Sequence, residues 1–80
     1  MIINVYSIKD TKVGFESPFI RANDDVAMRD FKSAALYGPE PNRFKQNPAD
    51  YELYKLGTFN QATGELSSAV EFVGNLAGVF

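Results

Sequence analysis

The stretch from Pro48 to Leu66, PADYELYKLGTFNQATGEL, constrains the fold of this chain more than any other. Asn47-Pro48-Ala49-Asp50 has turn chemistry, because proline presets φ while Asn and Asp can bond their own backbone. Tyr51 to Phe59 has the aromatic and apolar content of a strand. Asn60-Gln61-Ala62-Thr63-Gly64 is a short loop, with Gly64 where hairpin connections need a left-handed residue. A return strand follows, from roughly Glu65 to Val70. The period of two puts Tyr51, Leu53 and Phe59 on one face of this β-hairpin and Tyr54 and Leu56 on the other. The hairpin carries no chemistry of its own.

The rest of the chain is read around it. Met1 to Ile8 (MIINVYSI) is a strand with Ile2, Tyr6 and Ile8 on one face and Ile3 and Val5 on the other. Apolar residues on both faces suit a central strand or a covered edge. Lys12 to Ala22 holds a short strand at Val13, Phe15 and Ser17, which Pro18 confines to an edge or breaks. Asn23 to Tyr37 predicts the one helix. Asn23 or Asp24 caps it, Asp24 and Asp25 complement the dipole, and Gly38-Pro39 stops it. Ala27, Phe31, Ala34 and Ala35 form its apolar stripe. Gly38 to Asn47 is expected to be an irregular, mobile connection. The tail, Glu71 to Phe80, is apolar but broken by Gly74 and Gly78; an edge strand, a docked coil and an oligomer contact all fit it.

Composition narrows the chemistry. Eighty residues make one domain with a modest core. With no cysteine and no histidine, disulfides, thiolate metal sites and the commonest general base are missing. Ser67-Ser68 therefore has no imidazole partner and no triad can form. The carboxylates follow no catalytic spacing, which leaves a carboxylate-only magnesium site as the one metal chemistry still open. No cofactor is expected, and the chain is not read as an enzyme. The formal charge of −2 argues against coating nucleic acid by bulk electrostatics. No basic n-region or membrane-length apolar run is present, so a protein without membrane attachment, in the cytoplasm, is expected.

Eleven aromatics (seven Phe and four Tyr) are generous for this length. Arg43-Phe44-Lys45 interleaves a ring with two cations. In a single-strand site, Phe44 would stack on a base while Arg43 and Lys45 meet phosphates; otherwise Phe44 anchors a loop and its neighbours solvate it. Arg29 and Lys32, off the apolar stripe, are a solvated face or a ligand patch. Lys9 and Lys12 extend a patch only if the fold brings them near. Tyr54 and Leu56 need cover, from an oligomer partner or from a stacked base.

Tyr6-Ser7 with Asp10, Pro18-Phe19, and Asn23 with Ala27, Arg29 and Phe31 make up one part of a longer pattern. Pro48, Asp50, Tyr51, Leu53, Tyr54, Leu56, Gly57 and Thr63-Gly64 complete it. Over most of residues 4 to 66 the chain resembles the small nonstructural protein of gokushovirus-type microviruses, phages with single-stranded DNA. The tail from Ser67 lies outside the resemblance. The resemblance implies an early or replication-stage protein absent from the capsid. That protein has been likened to the coliphage C protein, which helps switch from duplex replication to single-strand synthesis and packaging. The family brings no catalytic residues to carry over.

One α+β domain over residues 1–80 is expected: a three- or four-stranded, mainly antiparallel sheet with one helix packed on a face. The leading functional expectation is a non-enzymatic phage accessory protein in single-stranded DNA replication, working in the host cytoplasm. It would bind single-stranded DNA or a replication protein, with Arg43, Phe44 and Lys45 as the DNA-binding candidates. The alternative is a protein-interaction module that modulates a host factor or assembly without touching DNA. The chain's size, its two-faced strands and its apolar tail further predict a homo-oligomer.

Overall fold

The computed structural model describes residues 1–80. Strand β1 (Ile2–Asp10) runs through the middle of an antiparallel sheet. On one side it pairs with β4 (Tyr51–Asn60), and β4 pairs with β5 (Leu66–Asn75). On its other side β1 pairs in succession with β2 (Gly14–Phe15) and β3 (Phe19–Arg21). The sheet has five strands rather than three or four, because the segment after β1 folds back onto the same edge twice. Pro18, with no amide hydrogen to give a ladder, sits between the two short strands.

Helix α1 (Asp24–Tyr37) lies on one face of the sheet. The Asn23 side chain accepts the Val26 N–H at 2.9 Å, the cap its chemistry predicts, and Asp24 and Asp25 fill the first turn. Ala27, Phe31 and Ala35 are buried, with Ala34 at the margin of the stripe. Alanines let the helix come close to the sheet, where Tyr6, Ile8, Tyr51 and Leu53 complete the core with Leu76. The Tyr6 hydroxyl donates to Asp24 Oδ1 at 2.6 Å and ties β1 to the helix start.

The hairpin forms as expected, but Phe59 changes face. Lys55 pairs with Tyr6 and Gly57 with Val5, so Leu56 is an extra residue in β4. A bulge of one residue inverts every later side chain. Phe59 therefore sits beside Ile3 on the open face, away from Tyr51 and Leu53. Gly57 makes the bulge possible. Its φ is 145°, and a Cβ there would lie 1.9 Å from the Ser67 carbonyl oxygen.

Two segments are more ordered than their composition suggests. The connection after α1 contains a second short helix, α2 (Arg43–Gln46), instead of an irregular loop. Buried Asn42 holds it: its amide donates to the carbonyls of Ala34 and Ala35 at 2.9 and 3.0 Å, and its oxygen caps α2 by accepting the Lys45 N–H. The return strand runs to Asn75, five residues past the predicted end at Val70. Gly74 lets Met28 of α1 come against it. The tail then turns inward: Leu76 is buried and Val79 packs on the core, while Phe80 stays 56% exposed.

Candidate functional site

The segment Arg43-Phe44-Lys45 is committed to internal contacts. The Phe44 ring meets Phe31 edge to face at 5.5 Å and Tyr51 at 4.9 Å. It is a half-buried anchor, the second of the two roles its sequence allowed. The Arg43 guanidinium makes a two-pronged pair with Glu16, with Nη2 donating to Oε1 at 2.6 Å and Nη1 donating to Oε2. That contact holds the guanidinium above its usual range. Arg43 also lies over the Phe44 and Tyr51 rings. Lys45 Nζ is 3.8 Å from Glu40.

Three other cations, the candidates Lys12 and Arg29 and also Arg21, are paired with carboxylates. Lys12 reaches Asp50 at 4.0 Å. Arg29 and Arg21 share Asp30, at 3.3 and 2.7 Å, and both donate to its carboxylate, which stays ionised further into the acid range than usual. Each of these cations thus faces a carboxylate, as Arg43 and Lys45 do.

The open face of the sheet, opposite α1, carries a different constellation. Register places Lys9, Ser7, Phe15, Tyr54 and Phe72 there: Lys9 opposite Phe15, Ser7 opposite Tyr54, and Tyr54 opposite Phe72. Phe15 and Tyr54 pack edge to face at 5.4 Å, and Tyr54 and Phe72 at 5.6 Å, both at 77°. The three rings thus form one row across β2, β4 and β5. Buried Ser7 provides its floor by donating to the Glu16 carbonyl at 2.7 Å. Phe15 and Phe72, the ends of the row, are 47% and 53% exposed.

Lys9 stands over the row, with Nζ 5.6 Å from the centroids of both Phe15 and Tyr54. It enters no ion pair. The Tyr54 hydroxyl donates to Glu52 Oε1 at 3.2 Å; burial first, and then the Glu52 charge, raises its pKa. Ring faces beside a free ammonium can receive a planar group and an anion together.

The family model described as Phage ORF5 protein matches residues 3–79. The chain belongs to that phage family. No curated protein matches it, and no solved structure does. The family match runs through the tail, beyond the Ser67 limit of the sequence resemblance. No helix of this ORF5-family chain is long and apolar enough to cross a membrane.

Sequence reasoning singled out Tyr54 as needing cover, but it did not connect Tyr54 with Phe15, Phe72 or Lys9. The alternation around Tyr54 was a usable signal. Phe72 lay in a tail with no assigned register, and Phe15 reaches the row only because β2 folds back onto Lys9.

Proposed function

We propose that this ORF5-family chain is a non-enzymatic phage accessory protein that binds single-stranded DNA during genome replication in the host cytoplasm. The narrower placement among gokushovirus-type microviruses, from the motifs at Tyr6, Asn23 and Tyr51, is part of the same proposal. The observation that carries it is the open-face row of Phe15, Tyr54 and Phe72 beneath the unpaired Lys9. Unstacked bases lie on such rings, and the ammonium meets a phosphate. Duplex DNA hides its base faces, so single strands are preferred.

This reading moves the contact surface away from Arg43-Phe44-Lys45, whose ring and charges are already engaged. Fluorescence anisotropy with labelled single- and double-stranded oligonucleotides tests both surfaces. Phe15→Ala and Phe72→Ala should each weaken single-strand binding by roughly 1–3 kcal/mol with little change in salt slope. Lys9→Ala should lower that slope by about 0.7. A loss confined to Arg43→Ala and Lys45→Ala would return the site to the α2 segment.

A protein partner is the second reading. It is favoured by the net charge of −2 and by Glu52 standing opposite Lys9 in register. No binding to single strands at low salt would leave this reading in place of the first.

A further inference from the structure

The outer edge of β5 is the one long free edge of the sheet. The opposite edge is taken up by β2 and β3, of two and three residues, on either side of Pro18. Nothing in the chain pairs with β5 on its outer side. From Leu66 to Phe72 every residue is exposed, including Leu66 at 73% and Val70 at 58%. Natural edges are commonly guarded by lysine or proline. The run LSSAVEF holds neither, and Glu71 is its one charge.

We infer that two copies of this chain pair along β5, antiparallel about a twofold axis, so that one sheet runs through both. An antiparallel strand is complementary to itself, so a second copy supplies every backbone donor and acceptor that the edge lacks. Only one edge of each sheet is long and free, so the assembly closes at two copies and does not grow into a filament.

The structure also selects a register. Leu66, Ser68 and Phe72 lie on the open face, while Ser67 and Glu71 lie on the helix face. The ladder to β4 is irregular opposite Leu56, where Ser68 to Glu71 spans three steps against two, and again at Val73; the odd step matches the inversion at Leu56, so the faces of β5 still alternate from Leu66 to Phe72. At the far end, Gly74 is occupied by Met28 of α1, so pairing must centre nearer the hairpin turn. Centring on Ala69 sets Leu66 of one copy against Phe72 of the other, and Ser67 against Glu71. A centre at Ser68 would instead oppose Glu65 with Glu71, two like charges. The axis is perpendicular to the sheet, so both open faces look the same way. The aromatic row of one copy then meets Leu66 of its partner, and the two rows lie side by side, six residues or about 20 Å apart along the strands.

The chain has no cysteine, so one introduced thiol reports on the pairing. Ala69 is exposed and faces its own symmetry mate, at a Cα separation of about 4.5–5.5 Å, which suits a disulfide. Under mild oxidation A69C should crosslink nearly completely into dimers. L66C should not, because the two Leu66 positions lie six residues apart, about 20 Å. Sedimentation equilibrium should show wild type as a concentration-dependent dimer and Val70→Lys as a monomer with an unchanged circular dichroism spectrum. Equal crosslinking of A69C and L66C, or a wild-type monomer at high micromolar concentration, would overturn the pairing. So would a dimer that Val70→Lys leaves intact.

Discussion

Phe44 and Tyr51 meet edge to face with their ring centroids 4.9 Å apart, and Phe31 closes on Phe44 from α1 at 5.5 Å. One residue of a polar connection thus seals the core between helix and sheet. Phe44→Ala is expected to cost about 3 kcal/mol of unfolding free energy, at the low end for an aromatic truncation because the ring is half-buried. Phe31→Ala, at a buried position, should cost about 3–5 kcal/mol. A double-mutant cycle should show coupling of about 0.5–1.5 kcal/mol. Additive urea midpoints would mean that the two rings do not cooperate.

Asn42 is the second device in that connection. Its amide bonds two carbonyls of the last turn of α1: that of Ala34, which also accepts the Gly38 N–H, and that of Ala35, four residues before Pro39, which has no N–H to give. Asn42→Ala should destabilise the protein by roughly 1–3 kcal/mol. Asn42→Asp should be no milder, since it keeps the cap on α2 but replaces the two donors with an acceptor facing carbonyls. Thermal melts of the two variants check this; a wild-type midpoint for either would refute it.

The bulge depends on Gly57. At a φ of 145°, with the Ser67 carbonyl standing where a Cβ would go, no side chain fits without moving the backbone. Gly57→Ala should be among the most damaging small substitutions in the chain, beyond the roughly 1 kcal/mol usual for a mutation. The loss should appear as faster amide exchange in β4 and β5. Gly64→Ala, with φ 79° but open space around it, should be milder.

Stability should fall in alkali. Burial, and then the contact with Asp24, hold the Tyr6 hydroxyl protonated well above its ordinary value of 10.0. The unfolded chain ionises near that ordinary value. At higher pH it binds fewer protons than the folded state, and the folded state loses ground. The slope from Tyr6 is about 1.4 kcal/mol per pH unit, and Tyr54 acts in the same direction. Tyr6→Phe should be less stable near neutrality for want of the Asp24 bond, yet flatter in its pH dependence above about pH 10.5. Denaturant titrations across that range would expose an unchanged slope.

Local chemistry determined part of this protein before any tertiary contact was considered. The Asn23 cap, the Gly38 stop, the Gly64 turn and the alternation from Tyr51 to Tyr54 act over a few residues, so helix, hairpin and fold class could be read directly. Tertiary structure alone decided the rest. The bulge at Leu56 depends on β1 and β5 lying beside β4, and it inverted Phe59. The order of Arg43–Gln46 depends on Asn42 finding carbonyls seven and eight residues away. Phe15, Tyr54 and Phe72 come from three separated segments, and only strand pairing brings them into one row. Register is a property of two strands at once, so no single stretch of sequence could carry it.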